Sequence, residues 1–243
     1  MKNLNKRSVM RPATCCAIMS TVFFIAACAA LPVATGKKAG VSLLLTGQDI
    51  PPRTGQVLVV TDESFLFFTR TRMYFLEQSG GGWVQIMEPI DALIGRNGLA
   101  APGEKREGDG KTPSGLFRLG TAFGYTEKID TKMPYRQALA DDIWVDDPAA
   151  PDYNRWVKKQ LSEASSYEVL RRDDHLYRLA IVIEYNTDPV IKGYGSAIFL
   201  HLWAGPHEPT AGCVAVSEEN MLKLLSRLDP ERKPVMIINP DHK

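Results

Sequence analysis

The segment IFLHLWAGPHEPTAGCVAV, residues 198–216, has the pattern of a strand, a polar loop and a second strand. In the first strand, period-two alternation divides residues 197–203 between two faces of a sheet. One face carries Ile198, Leu200 and Leu202, and the other carries Ala197, Phe199, His201 and Trp203. His201 is therefore an imidazole in a half-buried strand, and it is either a core histidine bonded to a backbone carbonyl or a functional group.

The rest of the chain beyond residue 55 also consists mostly of short apolar and aromatic runs bounded by turn residues. Such runs are typical of strands. They are QVLVVT, FLFFTRTRMYFLEQ, GWVQIM, GLFRLGTAFGY, LYRLAIVIEYN, SAIFLHLW and a closing PVMIINP. We predict one mainly β domain over residues 56–240 with peripheral helices.

Two segments differ from this pattern. Residues 134–172 are of mixed polarity, and we predict an excursion from the sheet with short helices at about residues 155–162. After the second strand, Ser217 is an N-cap, followed by acids in the first helical turn and by the amphipathic run NMLKLLSRL. This helix is predicted to end at Asp229-Pro230.

Residues 1–28 combine a basic start with a mostly apolar run too short to span a bilayer, the pattern of a secretory signal. Ile25-Ala26-Ala27-Cys28 resembles a lipoprotein lipobox, so Cys28 is expected to be lipidated; the alternative is cleavage near Ala29 or Ala30 and release of a soluble periplasmic protein. Residues 29–55 are rich in Gly, Pro and small residues and are predicted to be a flexible tether. We expect export to the periplasm, with membrane contact only through this N-terminus.

Composition excludes some partners, and the cysteine count directs attention to one thiol. The formal net charge of +1 gives no electrostatic reason to expect nucleic acid. Because Cys15, Cys16 and Cys28 fall in the signal segment, Cys213 has no disulfide partner in the mature chain. A lone thiol in an oxidising compartment calls for a functional explanation, the alternative being a small buried hydrophobe.

The surroundings of Cys213 favour a nucleophile. Gly212 precedes it, and a glycine there lets backbone donors and an incoming carbonyl approach closely. A thiol with a pKa of about 8.5 is little ionised at neutral pH, so a nucleophilic cysteine needs a base. His201 is the natural candidate for that base. The equal spacing of His201, His207 and Cys213 also suggests zinc, but it lacks the usual close ligand pair, and we expect neither metal nor cofactor.

A glycine-rich block, GRNGLAAPGEKREGDGKTPSGLFRLG, spans residues 95–120. It does not match a phosphate-binding loop, because the first glycine is misplaced and Lys111-Thr112 runs into a proline and a strand. Most of the block is expected to form tight turns. Arg96, Asn97 and Lys111 could line a cleft that receives carboxylates.

Together, GSAIFLH (195–201) and PTAGCV (209–214) resemble the catalytic segment of the YkuD-type L,D-transpeptidases. The blocks GRNG, EGDGKTPSGLF, WVDDPAAPDYNRWV and IEYNTDP strengthen the likeness to a divergent branch, over roughly residues 55–240. The resemblance implies a β-sandwich-like catalytic domain acting on peptidoglycan stem peptides. By the same likeness, Cys213 attacks the bond after diaminopimelate, D-alanine leaves, and an amine on a second stem or an envelope protein accepts the acyl group.

Carried over by residue, the resemblance makes His201 the proton donor and acceptor, Gly212 the residue that shapes the turn, and Thr210 the counterpart of a serine. Two positions depart from the better-known pattern: Ala215 stands where an arginine is usual, and Leu202 where a glycine is usual. The substrate-carboxylate partner is then expected elsewhere, with Arg96 or Lys111 as candidates.

Three alternatives remain open. NlpC-type cysteine peptidases have the cysteine before the histidine, whereas here only His242 follows Cys213, so the chain order favours a transpeptidase. An L,D-carboxypeptidase, with water as acceptor, and a non-catalytic peptidoglycan-binding lipoprotein are the others. His175 and His207 are expected at the cleft edge and in a loop.

Overall fold

The computed structural model of this chain describes residues 44–239. The expected signal segment, the lipobox at Cys28 and most of the tether lie outside the described residues. Within residues 44–239, no helix has the length and apolar character needed to cross a membrane.

The described chain is mainly β, as predicted, with one α-helix within residues 45–239. The strands are β1 (Gln56–Phe65), β2 (Phe68–Ser79), β3 (Gly82–Gln85), β4 (Ile90–Asp91), β5 (Leu99–Ala100), β6 (Thr112–Pro113), β7 (Gly115–Gly124), β8 (Tyr135–Gln137), β9 (Asp142–Val145), β10 (Trp156–Lys158), β11 (Tyr167–Val169), β12 (Leu179–Ile183), β13 (Phe199–Leu202), β14 (Val214–Val216) and β15 (Val235–Ile238). The helix is α1 (Glu218–Arg227), and 3-10 turns occupy Lys159–Leu161 and Pro230–Arg232.

A curled sheet forms the body of the domain, with strand order β14-β13-β12-β7-β15-β1-β2-β3, β4 pairing with β2, and β8 with β7. Most neighbours are antiparallel, but β13 and β14 are parallel, as are β1 and β15 and β7 and β8. Small sheets of β10-β9-β11 and β5-β6 flank it. The parallel pair β13–β14 places the ends of both strands of the 198–216 segment side by side.

The two faces of β13 pack into different apolar clusters. Ile198, Leu200 and Leu202 lie in the main core, which also contains buried residues of β12, β14 and α1. Ala197 and Phe199 lie in a second cluster, the aromatic cluster, in which Phe199 makes edge-on contacts with three rings. The predicted alternation of this strand is thus confirmed, and each edge-on ring pair adds roughly 0.5–1.5 kcal/mol beyond area burial.

Helix α1 begins where the sequence predicts. The hydroxyl of Ser217 accepts a hydrogen bond from the Asn220 N–H at 3.2 Å, and Glu218 and Glu219 occupy the first turn. The chain leaves the helix at Leu228, immediately before the predicted Asp229-Pro230 stop. One face of α1 packs into the main core, which also contains Val214 and Val216 of β14.

Two local predictions are wrong. Within 134–172, the predicted helix at 155–162 is instead β10 followed by a single 3-10 turn. The reason is non-local: the buried Asp142 carboxylate on β9 accepts from the Trp156 indole at 2.9 Å and pairs with Lys158 at 3.2 Å, which holds this segment as a strand. The run FLFFTRTRMYFLEQ is not one strand either, because the chain turns at Leu66 and Phe67, which are 93% and 94% exposed.

Candidate active site

Cys213 and His201 line one cavity of about 430 Å³. The parallel register pairs His201 with Ala215, two residues beyond the cysteine, so the side chains of His201 and Cys213 emerge on the same face of this strand pair. The structure thus brings together the two residues that the sequence singles out. Their side chains are not hydrogen-bonded to each other.

The Cys213 thiol sits in the aromatic cluster and contacts the backbone of the neighbouring strand. Its Sγ donates to the Ala197 carbonyl at 3.2 Å and accepts from the Phe199 N–H at 3.3 Å. Burial raises the pKa of Cys213 to about 12, although the Phe199 N–H opposes the shift. The resting group is therefore a thiol rather than a thiolate.

His201 is held in one tautomer. Its Nδ1–H donates to the Leu202 carbonyl at 2.7 Å, which leaves Nε2 as the acceptor nitrogen of the neutral ring. The Tyr177 ring stands edge-on to the imidazole at 5.3 Å between centroids. Burial lowers the pKa of His201 to about 4, so the imidazole is uncharged at neutral pH and can take a proton.

Thr210 and Gly212 shape the loop that carries the cysteine. The Thr210 hydroxyl accepts from the Gly212 N–H at 3.0 Å and donates to the Cys213 carbonyl at 2.7 Å. Gly212 has φ +150°, and a Cβ on it would lie 3.0 Å from the Lys111 carbonyl oxygen. Because the Gly212 N–H is already bonded to Thr210, these two residues fix the loop geometry and leave that N–H unavailable to a substrate.

The two cations expected to receive carboxylates are placed differently. Arg96 is exposed and lines the cavity. Lys111 is not among the described residues that line it; its backbone N–H bonds to Asp109 instead. A third cation, Lys105, lines the cavity and is only 3% exposed.

Sequence reasoning missed several residues that define this site. Lys105 lies inside the glycine-rich block, where nothing in the spacing distinguishes it from its neighbours. Nothing around Tyr177 indicated that it lines the site either, although its run LYRLAIVIEYN was predicted to be a strand. Asn154 lies in a motif quoted for its resemblance: its Oδ1 accepts from the Ala197 N–H at 3.2 Å and from the Trp144 indole at 2.7 Å. Asn154 thereby fixes Ala197, whose carbonyl accepts the hydrogen bond from the Cys213 thiol.

Carboxylates line another part of the cavity. Glu107 accepts at 2.7 Å from the Ser196 hydroxyl and also from the Tyr153 hydroxyl. Burial raises the pKa of both Asp146 and Glu168. The cavity is therefore lined by both acidic and basic side chains, which suits a ligand with both ammonium and carboxylate groups.

The other two histidines of interest lie at the periphery. His175 is exposed, with Nε2 3.1 Å from the Trp203 carbonyl oxygen, and His207 is exposed in the loop between β13 and β14. Within residues 44–239, no group of three His, Cys, Asp or Glu side chains is placed to hold a metal ion.

Comparison with known proteins gives one partial and one extensive match. The chain is 26% identical over 109 residues to a threonine–tRNA ligase of Desulforamulus reducens, a match that covers 41% of this chain and spans 16% of the ligase. No solved structure matches. The family model of the YkuD L,D-transpeptidase catalytic domain matches residues 59–237, most of the chain, and this protein therefore belongs to that family.

Proposed function

We propose that this protein is a cysteine-dependent peptidoglycan L,D-transpeptidase, in which Cys213 is the nucleophile and His201 the general base and acid. Membership of the family supports the reaction class. The observation that carries the residue assignment is the shared cavity, in which a buried thiol and a neutral imidazole with a free Nε2 lie on adjacent parallel strands.

The first step is deprotonation of the thiol. Because the pKa of Cys213 lies far above that of His201, no thiolate–imidazolium pair is populated at rest. The proton therefore moves from Sγ to His201 Nε2 as the thiol attacks, after substrate displaces the bond to the Ala197 carbonyl. The Phe199 N–H then donates to a sulfur of growing negative charge, which strengthens that hydrogen bond.

The acyl group then passes through a thioester. Sγ forms a bond to the diaminopimelate carbonyl carbon that is joined to D-alanine in a tetrapeptide stem, and the C–N bond to D-alanine breaks. His201 returns its proton to the leaving amine. In the second half, an acceptor amine attacks the thioester carbon and gives a proton to His201. The C–S bond breaks, and His201 returns the proton to Sγ, which restores the thiol.

We also propose where this occurs. The basic and apolar N-terminal segment and the lipobox at Cys28 support export and lipid anchoring in the periplasm. The acceptor is an amine on a second stem peptide or on an envelope protein.

Incubation of the purified full chain with a disaccharide tetrapeptide, followed by mass spectrometry of both peptide and protein, tests the reaction. The wild type is expected to release D-alanine, to form an acyl-enzyme and to yield cross-linked dimers. Cys213→Ala should form no acyl-enzyme, and His201→Ala should acylate slowly, while His207→Ala, a matched change in the exposed loop, should behave like the wild type.

Each other outcome contradicts part of the proposal. Release of D-alanine without dimers, even with added amine, would make the protein a carboxypeptidase. A peptide that binds without any change of mass would make it a binding module. Turnover by Cys213→Ala would remove the nucleophile assignment.

A further inference from the structure

We propose that Lys105 binds the α-carboxylate of the residue that leaves the donor peptide, because its buried ammonium reaches the cavity beside the glycine that precedes the nucleophile. This role rests on the proposed function. It makes Lys105, rather than the two cations expected from the sequence, the residue that selects peptides with a free C-terminal carboxylate.

Lys105 reaches the cavity past two glycines. A Cβ on Gly195 would lie 3.0 Å from Lys105 Cγ and 3.1 Å from its Cε, closer than side chains normally approach. A Cβ on Gly212 would lie 3.8 Å from Lys105 Nζ. Both glycines have positive φ, so the backbone conformation and the missing side chains together leave room for the lysine stem and bring its charge to the cysteine loop.

Two hydrogen bonds hold the Lys105 ammonium in place. Nζ donates to the Asp109 carboxylate at 2.6 Å and to the Arg106 carbonyl at 2.8 Å. An ammonium has three N–H donors, so one remains for a ligand. Asp109 also accepts from the backbone N–H groups of Arg106 and Lys111, which ties the position of the charge to the geometry of the whole loop.

The location matches the chemistry of the donor. The carbon that Cys213 attacks is joined through N and Cα to the carboxylate carbon of the leaving residue, a distance of about 4 Å at most. The carboxylate must therefore lie close to the nucleophile, and the Lys105 ammonium approaches the cavity beside Gly212, the residue before Cys213. At the position where better-known relatives carry arginine, Ala215 is fully buried and supplies no charge.

The other cations of the cavity fit this role less well. The Arg172 guanidinium is engaged by the carboxylates of Asp174 and Glu168. Arg96 is exposed, where solvent weakens an ion pair. A charge-assisted hydrogen bond from the buried Lys105 contributes more to carboxylate binding than one from the exposed Arg96.

The test compares kcat/KM for two donors, one ending in D-alanine carboxylate and one in D-alanine carboxamide, on the full chain. For the wild type, kcat/KM is expected to be roughly 10- to 100-fold higher for the carboxylate donor than for the carboxamide donor. Lys105→Met should lower kcat/KM for the carboxylate by that factor while changing the carboxamide little. Lys105→Arg should retain a preference, and Lys128→Met, a change of an exposed lysine, should match the wild type.

These outcomes separate a ligand contact from a structural role. A lysine that only stabilises its loop would lower activity on both donors equally in Lys105→Met, and that result would overturn the proposal. Discrimination lost in Arg96→Gln but kept in Lys105→Met would overturn it as well. If the wild type turned over neither donor, the proposed function itself would fail, which is a different result from an active enzyme that ignores the carboxylate.

Discussion

The Nδ1–H of His201 donates to the carbonyl oxygen of Leu202, the next residue, at 2.7 Å. Because this hydrogen bond occupies Nδ1, only Nε2 of the neutral ring can accept a proton. Burial of the ring, which this hydrogen bond only partly offsets, also links the charge state of His201 to the stability of the fold.

The first prediction concerns stability against pH. The pKa of His201 falls from 6.5 in the unfolded chain to about 4 in the fold, so between these values the unfolded chain binds a proton that the folded one does not. Stability is therefore lost as the pH falls from 6.5 to 4, by about 3 kcal/mol from this residue. Urea unfolding of the wild type and His201→Gln at both pH values measures it.

His207→Gln is the matched control for that experiment, since His207 is exposed. The acid loss of stability should be smaller in His201→Gln than in the wild type and unchanged in His207→Gln. Equal losses in all three proteins would show that His201 is not held neutral.

The second prediction concerns the reactivity of the free enzyme. With a pKa of about 12, the Cys213 thiol should be alkylated by iodoacetamide at a rate that climbs continuously with pH through and beyond pH 9. Peptide mapping after timed labelling of the full chain isolates the Cys213 peptide from the other cysteines. A rate that is flat between pH 5 and pH 8 would instead reveal a stable thiolate–imidazolium pair.

The third prediction concerns Thr210, whose hydroxyl bridges Gly212 and the Cys213 carbonyl. Thr210→Val keeps the shape but leaves a backbone N–H without its partner, at a cost of about 1–3 kcal/mol. If Cys213 is the nucleophile as proposed, acylation should slow roughly 10- to 100-fold because the thiol shifts. Thr210→Ser should restore both stability and rate, and a Val variant with wild-type acylation would show that the bridge is dispensable.

The fourth prediction separates backbone strain from displacement of the cysteine loop. Gly98 (φ +75°) has open space where a Cβ would lie, whereas a Cβ on Gly212 (φ +150°) meets the Lys111 carbonyl oxygen. Both changes to Ala should cost about 1–3 kcal/mol of stability. Only Gly212→Ala should lose acylation in the intact-mass assay; if both variants acylate equally, the close approach at Gly212 has no role in positioning Cys213.

The sequence predicted the features of this site that depend on local pattern. Alternation along 197–203 placed His201 and Phe199 on one face because both faces of β13 are buried. The N-cap at Ser217 was readable because capping needs only neighbouring residues. These predictions required no knowledge of distant contacts.

What the sequence could not supply depends on contacts between segments far apart in the chain. Strand β10 forms where a helix was predicted because Asp142 draws Trp156 and Lys158 towards β9. Lys105 belongs to the site because its stem passes Gly195, ninety residues later in the chain. No spacing rule connects a lysine in one loop to a glycine in another.

Ala215 has a consequence for how such chains diverge. It is buried, lines the cavity, and alternates with Val214 and Val216, which face the main core. Ala215 and Lys105 line the same cavity, so an arginine at position 215 would add a second cation to it. Like charges that share a cavity disfavour each other, so we expect family members with arginine at this strand position to lack the buried lysine.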